Sequence, residues 1–141
     1  MSINEETLAD FRLLSVRKPS IIDAEKDFEW ICRSFGFLES RDKMKTAYNI
    51  FRVIVETSTD TSGITSDELA EKLHLSRGTI IHHLNKLTKS GLIIHHESKY
   101  KLRGTSLKNT IEEIQRDVNR IFEDLESISA SMDEILGFTS R

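Results

Sequence analysis

Gly78, His82, Asn85 and Lys89 fall on one side of a helix when each residue is turned about 100° from the last, with Arg77 at its start and Ile81 on its flank. A guanidinium, an imidazole, a carboxamide and an ammonium on one face can reach base edges and phosphates in a DNA groove. The opposite side carries Ile80, Leu84 and Leu87, a stripe that must face a core. The outer face is therefore the reader and the inner face its anchor.

The elements that hold this helix are legible on either side. Ser66 precedes Asp67 and Glu68, and Leu69, Ala70 and Leu73 follow at helical spacing. That order predicts a first helix with a hydroxyl cap at Ser66 and acids in its opening turn. His74 and Leu75 leave room only for a tight turn before Ser76 caps the second helix. Gly91 supplies the left-handed residue that ends it. Leu92, Ile93 and Ile94, then Glu97, Ser98, Lys99 and Tyr100, predict a strand, a turn and a return strand. Residues 64–94 thus carry the pattern of a winged helix-turn-helix. Along the wing, Lys99, Lys101 and Arg103 alternate and so face one way. Phosphate contact or insertion into the minor groove is the functional expectation, and a solubilised hairpin edge the alternative.

Charge follows the same division. From Lys72 to Lys108 there are eight basic residues and one acid, and all five histidines lie there. Residues 1–71 and 109–141 each carry a net −5, so the overall charge of −3 conceals a basic segment centred on the reader. Attraction to phosphate would come from one face, while the acidic remainder limits adhesion elsewhere.

The run LSRGTIIHHLNKLTKSGLI, residues 75–93, resembles the recognition helix and the start of the wing in ArsR-like winged-helix transcription regulators. The run CRSFGFLESRDKMKTAYNIF, residues 32–51, is similar to what precedes that motif in archaeal regulators of this type. The resemblance implies Ser76 as the cap. It implies Arg77, Gly78, Ile81 and His82 at base edges, and Thr79, His83, Lys86 and Lys89 at the DNA backbone. Many such regulators release DNA when a metal binds, and His82 with His83 and His95 with His96 raise that question. Adjacent residues diverge by about 100° on a helix and point to opposite faces of a strand, so neither pair easily grips one ion. The segment that carries cysteine ligands in the metal sensors reads DELAEKL here. No metal and no cofactor are expected, and the effector is unknown.

The longest regular feature is a heptad seam: Leu107, Ile111, Ile114, Val118, Ile121, Leu125, Ile128, Met132 and Ile135, spaced by four and three without a break. Ser106 can cap its start and Gly137 close its end, predicting roughly 30 residues of helix, about 45 Å. A stripe of that length needs a partner, and a second copy is the simplest, giving a two-fold homodimer. Isoleucine occupies four of the five d positions, and Phe122 and Leu136 widen the stripe, so an antiparallel pair or a bundle with N-terminal helices fits better than a parallel two-stranded coil.

Two N-terminal helices are expected from Leu8, Phe11, Leu13, Leu14 and Val16, then Ile21, Ile22, Phe28, Trp30, Ile31 and Phe35, with Pro19 between them, Ser20 as a cap and Gly36 as a stop. A third helix would start near Ser40 or Asp42 and bury Ala47, Ile50, Phe51, Ile54 and Val55. The stretch TSTDTSG, residues 57–63, reads as a loop.

One cysteine, Cys32, excludes an internal disulfide and a thiolate cluster. No apolar run approaches the ~20 residues of a spanning helix, and the acidic start lacks the regions of a signal peptide, so a cytoplasmic protein without membrane contact is expected. There is no glycine-rich phosphate loop and no histidine, carboxylate and nucleophile set at suggestive spacing, so an enzyme is not expected. The fold class expected is mainly α with a small β-wing. Residues 1–40 would form supporting helices, 41–105 a winged helix-turn-helix that binds double-stranded DNA, and 106–137 a dimerisation helix. A winged helix that binds protein or RNA is the competing function.

Overall fold

The computed structural model describes residues 8–37, 45–59 and 62–138. Along the chain lie α1 (Ala24–Ser34), α2 (Thr46–Ser58), β1 (Ile64–Thr65), α3 (Ser66–Leu73), α4 (Arg77–Lys89), β2 (Ile93–His96), β3 (Lys99–Leu102) and α5 (Leu107–Leu136). The fold is a mainly helical winged helix-turn-helix with a small antiparallel sheet and a long C-terminal helix.

The core is built where apolar faces meet. Ile50, Phe51 and Ile54 of α2, Leu69 of α3, and Ile80, Leu84 and Leu87 of α4 have no solvent exposure. Each such side chain contributes roughly 1.5–3 kcal/mol on burial. Leu92, Ile93, Tyr100 and Leu102 close the sheet over them. The sheet order is β1-β3-β2, with Ile64 opposite Tyr100 and Ile93 opposite Leu102. The hairpin turns at Glu97 and Ser98, both left-handed at φ 49° and 65°, the backbone a two-residue loop needs to match strand twist.

The first helix of the motif is capped one residue earlier than Ser66. Thr65 accepts from the Glu68 N–H while the Glu68 carboxylate accepts from the Thr65 N–H, a reciprocal capping box that Ser66 cannot form at that spacing. His74 then ends α3 in the left-handed region, and Ser76 caps α4 by accepting from the Thr79 N–H. Thr57 and Ser58 belong to the last turn of α2 and not to a loop. The Ser58 hydroxyl donates to Ile54 O and accepts the Leu102 N–H, so it joins the helix end to β3.

The N-terminal residues correct the expected helix pair. Residues 8–19 form no helix but a strap tied by its backbone to distant elements. The Asp10 N–H donates to Lys89 O and the Leu14 N–H to Ser34 O, while Val16 O accepts from Trp30 Nε1. Its apolar residues do not line one face: Phe11 packs on the core, whereas Leu8, Leu13 and Leu14 are exposed. Ser20 caps nothing, because α1 begins four residues on, where the Asp23 carboxylate accepts from the N–H groups of Glu25 and Lys26. Ile21 and Ile22 precede that helix and are exposed. Ser40 and Asp42 lie outside the described residues, and α2 starts at Thr46 after a left-handed Lys45. Cys32 is buried in the core, which pushes its thiol up to about 12, with Glu29 adding to the shift.

Two internal joints fix α5 to the wing. Thr110 is fully buried, and its hydroxyl accepts the Gly104 N–H and donates to Ser106 O. Arg103 sends Nε to Glu113 at 3.2 Å and Nη1 to Asp117 at 2.6 Å, both on α5. Replacing Arg103 with Ala should therefore cost roughly 1–2 kcal/mol in urea denaturation, because two partly buried carboxylates lose their cation. Gly63 offers a sharper test of the sheet. At φ +119° its Cβ would sit 2.5 Å from the Tyr100 carbonyl oxygen, so Gly63→Ala should destabilise by about 1–3 kcal/mol in the same assay. A fully stable alanine variant would show that β1 does not pair with β3 as described.

Candidate nucleic-acid interface

Helix α4 is seated by its inner stripe, and that seating decides what its outer face offers. With Ile80, Leu84 and Leu87 buried, the rotation about the axis leaves Arg77, Gly78, His82, Asn85, Lys86 and Lys89 exposed. Thr79, Ile81 and His83 are half-buried at the flanks. The amino end is the most open part. Arg77 is the first helical residue, its side chain is 76% exposed, and its nearest carboxylate, Asp67, is 4.0 Å away. Nothing lies within 4 Å of where a Cβ would stand on Gly78. Ser76 and Thr79 share a hydroxyl hydrogen bond of 2.8 Å at this end, which orders the first turn.

The wing divides the three expected cations. Tyr100 and Leu102 point into the core, so Lys99, Lys101 and Arg103 alternate onto the other side. Lys99 reaches Ser62 at 3.2 Å and Lys101 is half-buried, and neither is ion-paired among the described residues. Arg103 is different: its charge is paired with Glu113 and Asp117 of α5, whereas the other two carry no ion pair among the described residues. No local signal in the sequence marks that pairing, since Glu113 and Asp117 lie ten and fourteen residues on, in another element.

The histidine pairs go separate ways. His82 and His83 have ring centroids 5.4 Å apart and planes at 70°. His95 lies flat on Tyr100, 4.1 Å between centroids, while His96 approaches Glu97 at 3.7 Å. Burial pushes the Tyr100 phenol up, so it remains a neutral platform for that ring. Among the described residues no three histidine, cysteine or carboxylate groups are placed to hold a metal ion.

The seam of α5 splits in two. Ile114 is buried, and Leu107 and Val118 pack against the core of the same chain. Ile111 lies at the margin, and Ile121, Leu125, Ile128, Met132 and Ile135 are exposed, joined by Phe122, Leu136 and Phe138. No helix among the described residues is long and apolar enough to cross a membrane. The strap passing over the end of α4, with Asp10, Phe11 and Arg12, was not foreseen, because its signal is hydrogen bonding to distant backbone and not a periodic pattern.

Comparison with curated proteins finds no match. Among solved structures, a crystal structure of ligand-free NadR is similar, with a TM-score of 0.43 and 20% identity over 79% of this chain and 76% of that one. Residues 49–94, from α2 to the first wing strand, match the family described as winged helix-turn-helix DNA-binding. The chain thus carries a winged helix-turn-helix domain of the DNA-binding type, with α4 as its second motif helix.

Proposed function

We propose that this chain is a sequence-specific, dimeric transcription regulator of the ArsR-like, archaeal type, acting as a repressor by occluding its operator. The observation that carries the proposal is the outer face of α4: polar and cationic, solvent-open at its amino end, and held rigidly by a buried inner stripe. The reader comprises Ser76, Arg77, Gly78, Thr79, Ile81, His82, His83, Asn85, Lys86 and Lys89, with Lys99 and Lys101 of the wing on phosphates. Residues 1–40 support the fold, 41–105 bind DNA and 106–137 join two copies. The seam left exposed on α5 supports the second copy, since several large apolar side chains in water are stabilised only by cover. Two readers related by a two-fold axis address a pseudo-palindromic site with half-sites about 34–36 Å apart. The protein works in the cytoplasm, without catalysis or cofactor.

Selection of bound duplexes from a random pool at two salt concentrations tests this reading. An enriched inverted repeat supports it. Salt-sensitive binding without enrichment would replace it with an architectural role, and no binding with a protein- or RNA-binding module. Within a selected site, Arg77→Ala should cost about 1–3 kcal/mol and relax preference at one base pair, most readily a guanine. Lys99→Ala and Lys101→Ala should each flatten the salt slope by about one unit with the consensus unchanged, whereas Arg103→Ala should leave the slope alone. Ile121→Glu places a charge in the exposed seam and should yield a folded monomer by sedimentation, with tight binding lost. A variant that still sediments as a dimer would move the interface elsewhere.

A further inference from the structure

Asp10 on the N-terminal strap and Lys86 and Lys89 on α4 line one cavity of about 290 Å³, walled by Phe35, Phe37 and Ala47. Phe35 is buried, and its ring runs parallel to that of Phe37 at 6.4 Å between centroids. Clefts for small ligands begin near roughly 300 Å³, so the space suits a molecule of metabolite size. Its charges are unusual for their arrangement. The strap supplies a carboxylate and a guanidinium, Asp10 and Arg12, and α4 supplies two ammonium groups and the imidazole of His83, with an apolar wall between. Lys86 and Lys89 form no ion pair among the described residues, and Asp10 has there only a 3.7 Å contact with the largely exposed Arg12. A simple anion would pair with the lysines and leave Asp10 to the loose contact with Arg12, and a simple amine would pair with Asp10 and leave both lysines unpaired. A zwitterion satisfies both.

We propose that this cavity binds a free α-amino acid with an apolar side chain. Asp10 takes its ammonium group, Lys86 and Lys89 take its carboxylate, and the phenylalanine wall covers its side chain. The site is also tied to the reader. The Asp10 N–H donates to Lys89 O at 2.9 Å, so the strap that supplies the anion holds the carboxyl end of α4. Occupancy draws Lys86 and Lys89 away from phosphate and weakens DNA binding. That regulatory half rests on the DNA-binding reading, whereas the binding half does not.

Calorimetry on the full chain without DNA separates the two. The probes are L-phenylalanine, hydrocinnamate, which lacks the ammonium, and phenethylamine, which lacks the carboxylate. Saturable one-site binding of phenylalanine is expected, with each analogue weaker by about tenfold or more, the loss of one charge-assisted pair. Asp10→Asn should lower phenylalanine affinity to that of hydrocinnamate, and Lys86→Gln should lower it about tenfold, both with the thermal transition of the ligand-free protein unchanged. No saturable binding of phenylalanine, or hydrocinnamate bound as tightly by the parent, would overturn the proposal. Fluorescence anisotropy on a selected duplex then reads the coupling. Phenylalanine should weaken DNA binding by the parent and leave Asp10→Asn unaffected. Unchanged DNA affinity at saturating phenylalanine would overturn the regulatory half, and calorimetric binding in a protein that binds no DNA would uphold the site while removing the reading beneath its regulatory role.

Discussion

At Gly91 four parts of the chain meet without spare room. The residue lies just past α4 at φ +84°, and a Cβ there would come within 3.0 Å of the Phe11 ring, 3.1 Å of the Arg103 guanidinium and 3.1 Å of Ile114. The strap, the carboxyl end of α4, the residue that follows β3 and the first turns of α5 are therefore held around one atom-poor position. Only glycine meets both demands, the left-handed backbone and the close approach. If that joint opened, α4 would keep its core stripe but lose the constraint that orients its far end relative to α5. The proposed reading of base edges by α4 needs that constraint, because misdirection by an ångström removes hydrogen bonds that depend on distance and angle.

Charge is divided between holding the fold and facing outward. Arg103 spends its cation on Glu113 and Asp117, in a setting where its side chain is only 25% exposed and the pair is less screened than a surface one. Arg77, by contrast, is 76% exposed and only loosely near Asp67. Two arginines in the same basic segment thus have opposite assignments, and the difference lies in which carboxylates the fold brings within reach. The acidic surplus of residues 109–141 is not merely a solvated face: its first part neutralises the root of the wing.

What sequence alone revealed, and what it did not, follows from the range of the interactions. The inner stripe of α4, the Ser76 cap, the left-handed Gly91 and the extent of α5 were legible because each is set by neighbours within a few residues. The cap of α3 was misplaced by one position because Thr65 and Ser66 are chemically alike, and only the reciprocal bond to Glu68 distinguishes them. The strap was misread as helix because its apolar content is high while its hydrogen-bond partners, Lys89 and Ser34, are distant in sequence. The two-residue strand β1 was invisible for the same reason: its register is set by Tyr100 and Lys99, some thirty-five residues away. For the reader face, sequence supplied the exposed set on α4 but could not separate Arg103 from the two lysines, since alternation reports the side of a strand and not what stands against it.

The seam of α5 shows one repeat serving two surroundings. Its first third is consumed within the chain, with Ile114 buried beside Gly91 and Thr110 bonded to the wing root, and this anchors the helix as a rigid extension of the domain. The helix is about 45 Å from end to end at ~1.5 Å per residue, and its remaining length continues the same heptad register into solvent. An isolated helix of that composition gains little from propensity alone, and the apolar side chains from Ile121 to Ile135 represent several times the 1.5–3 kcal/mol that burial of one provides. Because the anchored third and the exposed remainder share one rigid axis, whatever covers the second fixes the direction of the first. A covering copy related by a two-fold axis would therefore set the separation of two reader helices through packing alone, with no flexible linker in between.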